Sequence, residues 1–567
     1  MSADAPPFFR GMNIAKCLLL VAFATQQLVA LAPQDRTPAD TAVFIEGGPI
    51  AENLDSLRTL VGSVAGEGVW SIFAANLEQK SGVNLLDAQK LEEIGVSSKE
   101  AWAIALNMEI ESTGTPSKPA FVLIIPAQNN TKLYDFLKGK VAEAQMPVNK
   151  EIEPGRLLNF GAENDPGFLV RTPNAVLVSN DQAMVKALQS KASNPIAKAP
   201  HYTSMRTHLY GRNQNKAPLV AFYLHPRLIV ASLKSQSELL RNLQRDLNKG
   251  DENAPVIDDN SPYVAEIREN LQSSGGAIVA NAEKLSFYFS YKYKEGYLSD
   301  TTKIYPKIVQ VKTAPLASDT LARNPVHYTL IKVNALAMIE LFKSLSPVFT
   351  EKYNKGLQDV NTKLAIDFEA DILRSLRGNY NFQVLNIPSE AKTKDILAWE
   401  LYGTFGIKEG TANNWVKLIK NVEKMVKKAE AKKPNKSKFA YEDIDEGKII
   451  TITGEDRMSG PKAKPISVII LVRETEIIVS NSKANAIKAT KGGDKTLSER
   501  LTRLTYDSAQ GIFFLDLQQV YKAVMKMKQG GSLKPYANML EKLKNFSILS
   551  TVTGDFATAE TTLQLRK

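Results

Sequence analysis

Residues 170–188 read VRTPNAVLVSNDQAMVKAL, and residues 472–490 read VRETEIIVSNSKANAIKAT. Each is a β-rich run that ends in Val-Ser-Asn and leads into an Ala-rich helix. Ser179 and Asn180 match Ser480 and Asn481. Either side chain of such a pair can cap a helix N-terminus by accepting a backbone N–H bond. A strand–turn–helix found twice, about 300 residues apart, suggests an internal repeat.

Three more stretches recur in the same order. PYVAEIRENL from Pro262 matches PYANMLEKL from Pro535, with proline suited to the first helical turn. LSFYFSYKYKEGYLSDTTKIY (285–305) matches FSILSTVTGDFATAETTLQLR (546–566). Each reads as two alternating strands around a Gly turn, at Glu295-Gly296 and Gly554-Asp555. FVLIIPAQNNTKLYDFLKGKVAEA (121–144) matches LYGTFGIKEGTANNWVKLIKNVEKMV (401–426) as strand then helix. SGVNLLDAQKLEEIGVSSKEAWAIAL (81–106) is set against LAIDFEADILRSLRGNYNFQVL (364–385), an acidic helix that passes through a Gly turn into a strand.

The pattern predicts an α+β protein of two tandem homologous units, 38–312 and 325–567, joined by a linker at 313–324. Each unit is expected to hold a mainly antiparallel sheet with helices packed on one face. Pro38 to Phe44 and Tyr328 to Ile331 are the predicted opening strands.

The N-terminus reads as an export signal. Lys16, with Arg10 before it, precedes the apolar run Cys17 to Ala24, and Ala30-Leu31-Ala32 has the small-x-small form of a cleavage site. This gives a signal peptide over residues 1–32, with Met12 a candidate start and Ala22-Phe23-Ala24 a second candidate cut. The run is shorter than the ~20 apolar residues that span a bilayer. No later segment approaches that length, so no transmembrane segment is expected in the mature chain. Cleavage would also remove Cys17, the one cysteine, and leave no thiol for a disulfide or a metal.

Of 567 residues, 44% are hydrophobic and 23% charged, ordinary values for a folded protein. The net charge of +11 is spread along the chain instead of forming a stripe, which argues against a nucleic-acid partner. The partner classes compatible with it are an envelope protein, a lipid or an acidic cell-wall polymer.

Signals for chemistry are absent from the sequence. His201, His208, His225 and His327 have no metal-ligand spacing. Ser480 and Lys483 have the Ser-x-x-Lys spacing without a Lys-Thr-Gly strand. Gly403 to Gly406 reads as a turn, and neither a Walker A loop nor a Rossmann fingerprint occurs. The acidic pairs Asp367/Glu369 and Asp443/Asp445 have no pocket signal. Lys249–Asn260 and Lys424–Lys438 read as solvated connections, and Trp70, Trp102, Trp399 and Trp415 as core anchors. No catalytic, cofactor-binding or metal residues are therefore assigned.

One surface feature stands out. Phe287, Phe289, Tyr291 and Tyr293 alternate onto one side of a strand, as a stacking platform or as a face covered by helices.

The Pro-Ala-Asp-Thr-Ala-Val-Phe opening after a signal, the Ile366-Asp367-Phe368-Glu369-Ala370-Asp371-Ile372-Leu373 helix start with Gly378, and the strand-Val-Ser-Asn-helix unit resemble the bacterial exported Domain of Unknown Function 3352 family. That resemblance implies an exported bacterial protein and no site residues. The expected function is an exported, non-catalytic binding or scaffolding protein of the cell envelope. Two alternatives remain open: a periplasmic carrier of lipid or another apolar ligand, and a hydrolase whose site is assembled from distant residues.

Overall fold

A computed structural model describes residues 32–108, 119–153, 155–228, 262–281, 283–309, 325–345, 347–387, 399–431, 437–455, 465–491, 509–526 and 541–566. The proposed signal, the linker at 313–324 and the loop 249–260 lie outside these residues. Two compact units emerge. The first holds residues up to 236 together with 271–292, and the second holds 237–270 and 293–566.

The first unit carries β1 (Val43–Gly47), β2 (Ala103–Asn107), β3 (Ala120–Pro126), β4 (Val148–Glu153), β5 (Leu157–Ala162), β6 (Asp165–Thr172), β7 (Ala175–Ser179), β8 (Val220–Leu224), β9 (Leu271–Ala280) and β10 (Lys284–Tyr293). β1 pairs with β2 and β8, β2 with β3, and β3 with β7, which closes the meander β4 to β7; every one of these pairs is antiparallel. β9 adds to β8, and β10 to β9. The helices are α1 (Pro33–Arg36), α2 (Ile50–Ala65), α3 (Glu67–Ser81), α4 (Ala88–Glu93), α5 (Asn130–Glu143), α6 (Gln182–Leu188) and α7 (Pro200–Arg212).

The second unit has helices α8 (Pro262–Asn270), α9 (Ile304–Val309), α10 (Ala335–Leu345), α11 (Pro347–Leu364), α12 (Ala412–Ala429), α13 (Lys483–Thr490) and α14 (Leu517–Lys526). Its strands are β11 (His327–Lys332), β12 (Leu376–Asn386), β13 (Glu400–Ile407), β14 (Lys438–Ile444), β15 (Gly447–Glu455), β16 (Pro465–Val472), β17 (Glu476–Ser480), β18 (Ala509–Asp516), β19 (Leu543–Thr553) and β20 (Phe556–Leu565). β11 pairs with β12 and β18, β12 with β13, and β13 with β17. β14 to β17 form a meander, and β18 to β20 follow in order. Each pairing of the first unit thus recurs ten strand numbers later. The class is α+β with antiparallel pairing.

Helix packing is less one-sided than the pattern predicts. Ile449, Ile469, Leu471 and Ile478 pack with Ala486 and Ala489 of α13, whereas Ile450, Ile477, Phe405 and Ile470 pack with Ile419 and Trp415 of α12. Neighbouring residues on a strand point to opposite faces, so the β13–β17 end carries a helix on each side. The reason is compositional. Ile466 to Val472 is polar only at Ser467, and a strand apolar on both faces must be covered on both.

The Ser-Asn pairs do not cap helices. Ser179 Oγ donates to Phe121 O (2.5 Å), Asn180 Nδ2 donates to Pro119 O (2.8 Å), and Asn180 Oδ1 accepts from Phe121 N (2.8 Å). In the second unit Ser480 donates to Leu401 O (2.7 Å), and Asn481 bonds Trp399 O and Leu401 N. The pair therefore extends the strand ladder past its last backbone bond. Capping falls one residue on from the pair, to Asp181 (Met184 N, 2.7 Å) and Ser482 (Asn485 N, 3.4 Å).

Two further expectations change. The predicted hairpin turn at Glu295-Gly296 instead leads into a 3-10 turn, Tyr297–Ser299, and then α9. Leu271–Ala280 is the strand beside β10, so the first-unit counterpart of the β19–β20 hairpin is β9–β10. Gly403 and Gly406 lie inside β13 and form no turn; a Cβ at Gly406 would sit 2.1 Å from Asn379 Oδ1.

Candidate functional site

The sites suspected for catalysis resolve into structural contacts. Lys483 pairs with Glu442 (2.6 Å) while Ser480 is held by the strand ladder, so the Ser-x-x-Lys spacing makes no Ser–Lys couple. Asp367 accepts from Ala370 N (3.0 Å), and Glu369 meets Arg374 (3.2 Å). Asp443 pairs with Lys448 (3.0 Å). His201 and His225 contact edge-on at 4.9 Å, and His208 accepts from Arg212 Nε at 3.3 Å. Burial holds both His201 and His208 near pKa 4. Among the described residues, no three His, Cys, Asp or Glu side chains gather as metal ligands, and no helix is long and apolar enough to cross a membrane.

The first unit does contain a buried charge that sequence reasoning missed. Glu46 of β1 is 3% exposed. Its Oε1 accepts from Tyr223 OH (2.7 Å), Arg206 Nε (3.0 Å) and Tyr210 OH (3.2 Å), and its Oε2 accepts from Tyr202 OH (3.0 Å). Burial, then the Glu46 charge, pushes the Tyr202, Tyr210 and Tyr223 hydroxyls well above the usual phenol range. Four donors on one carboxylate, three of them on Oε1, fix its position and make it a strut between β1, β8 and α7. In the second unit the same strand positions carry Leu330 and Phe514, both buried with Tyr328.

The sheet faces give the clearest binding signal. Across β12, β11, β18 and β19, register aligns Phe382, Thr329, Phe513 and Ile548 in one row, with Ile331 beside it. Phe382, Phe513, Ile548 and Ile331 are 38%, 36%, 38% and 49% exposed. His327 lies 5.9 Å from Phe382 and 4.8 Å from Phe513, and Phe513 lies 6.1 Å from Phe546, which makes a chain of ring contacts on the open face. The opposite, buried face holds Asn379, Asn381, Gln383, Asp516, Asn545 and Ser547 alongside its apolar residues. This reverses the usual one-sided sheet, apolar inward and polar outward.

The first unit repeats the arrangement. Phe222, at the strand position of Phe513, stacks with Phe287 at 6.3 Å and meets Phe289 at 6.0 Å; Phe289 meets Tyr291 at 4.9 Å. Phe287 is exposed, while Ser286, Tyr288 and Ser290 point inward. Gly276 makes room for this platform, since a Cβ there would fall 2.5 Å from the Phe222 ring. Alternation correctly placed Phe287, Phe289 and Tyr291 on one side. Tyr293 is instead buried, stacked on Tyr297 (5.1 Å) and Tyr305 (5.7 Å). The matching row in the second unit escaped notice because its aromatics come from separate strands, one per strand.

No family model and no curated protein matches the chain. Among solved structures, crystal forms III and IV of TP0453 are similar at 11% and 12% identity. For both the TM-score is 0.24, over 47% of this chain and 81% of that one.

Proposed function

We propose that this chain is an exported, non-catalytic binding protein of the bacterial envelope, and that it carries an apolar, acyl-chain ligand on its open sheet faces. One observation carries the reading: in both units aromatic side chains line the solvent side of the sheet, while the buried side carries polar groups, amides in the second unit and serine hydroxyls with Glu46 in the first. Full burial of such a side chain is worth about 1.5–3 kcal/mol, and at 36–49% exposure roughly half of that is left for a ligand to recover. An acyl chain suits a continuous apolar strip, and it needs no charged partner.

Occupied side chains support binding over catalysis, because Ser480, Lys483, Asp367 and Glu369 all serve local structure. Export is supported by the sequence of residues 12–32. The ten shared strand positions support descent of the two units from one folding unit. Native mass spectrometry of the protein purified from its own envelope fraction tests the reading. A co-purifying lipid mass is the expected result; a protein or glycan adduct in its place overturns it.

A further inference from the structure

The helical hairpin of the first unit has an unusual surface. From Thr59 to Leu77, across the α2–α3 corner, Glu67 is the one charged residue in nineteen. Arg58 neutralises it at 3.3 Å. On α3, Trp70, Ala74 and Ser81 are buried. Val69, Ile72 and Phe73, spaced i, i+3 and i+4, form a different face and are 45%, 64% and 50% exposed. These three sit in the first half of α3, next to the corner at Gly66. Farther from the corner the exposed side becomes polar, through Asn76, Glu78, Gln79 and Lys80.

We propose that this apolar corner docks on a lipid bilayer and seats Val69, Ile72 and Phe73 in the headgroup–acyl boundary. The inference rests on the acyl-carrier reading, since such a carrier must exchange cargo with a membrane. Two observations choose a bilayer as occupant. The three side chains can bury on the order of 300 Å², well short of the ~800 Å² per partner of a stable protein interface. Helices α2 and α3 have 16 and 15 residues, too short to span hydrocarbon but long enough to lie in its surface.

The helix pair of the second unit makes an internal control. There α10 exposes Met338 and Phe342, but α11 carries Glu351, Lys352, Lys355, Asp359 and Lys363. Nothing in the shared strand order therefore requires an uncharged hairpin.

The test is flotation of the full chain with vesicles of phosphatidylcholine and phosphatidylglycerol at 3:1. I72N/F73N should lower the partition coefficient at least tenfold, and M338N/F342N less than twofold. Equal losses, or no loss with I72N/F73N, overturn the proposal. So does sedimentation that shows a dimer for the native chain and a monomer for I72N/F73N, because a second copy would then be the occupant. Decanoate binding, measured without vesicles, separates the two readings: I72N/F73N should leave it unchanged. If the native chain floats through its hairpin but takes no decanoate, the carrier reading fails and the docking surface stands.

Discussion

Replacing Glu46 by leucine should destabilise the first unit by about 3–5 kcal/mol, the range for removing one partner of a buried ionic cluster. The figure follows from the contacts. Tyr202 and Tyr223 are each 2% exposed, and without the carboxylate both hydroxyls are orphaned, at about 1–3 kcal/mol each. Tyr210 and Arg206 are partly exposed and can turn to water, so they add little. Adding Tyr223→Phe copies the Leu330/Phe514 arrangement of the second unit and removes one orphan, which should restore about 1–2 kcal/mol. Hydrogen exchange of β1 and β8 peptides reads both effects. Protection should drop on the order of 10²–10³-fold in E46L and recover roughly tenfold in E46L/Y223F. A drop below fivefold, or a double variant weaker than the single, would refute the strut assignment.

Acid should weaken the first unit. Burial holds His201 and His208 near pKa 4, below their ordinary 6.5, so the folded form binds fewer protons than the unfolded chain. Their stabilisation is complete above pH 6.5 and is lost as pH falls from there towards 4; His201→Phe should flatten that decline in thermal melts across the window. Asn180→Ala removes two bonds of the strand extension and should cost about 1–2 kcal/mol, with faster exchange confined to residues 119–121, while Asp181→Ala should loosen the α6 N-terminus instead.

The class and several strand positions were legible because local signals agreed with the final packing. Val-Ser-Asn marked the ends of β7 and β17, and period-two alternation placed Phe287, Phe289 and Tyr291 on one face. The strand Leu271–Ala280 was missed because LQSSGGAIVA has a Ser-Ser-Gly-Gly centre that reads as a loop. Its glycines are there for close approach: a Cβ at Gly276 would meet Tyr288 O at 2.4 Å. The Glu46 cluster joins residues some 160 positions apart, at 46, 202, 206, 210 and 223, with no spacing rule to reveal it. The open face of the second unit was hidden likewise, since each strand supplies one aromatic and only register brings them into a row.

Binding of a fluorescent polyene fatty acid to the native chain and to F382S/F513S tests the open-face claim most directly. Both replacements lie on the solvent side and should leave the fold intact. The account predicts saturable binding by the native chain and a loss of at least tenfold in affinity with the variant, about 1.4 kcal/mol or more. Undiminished affinity in F382S/F513S, with native secondary structure, would contradict it.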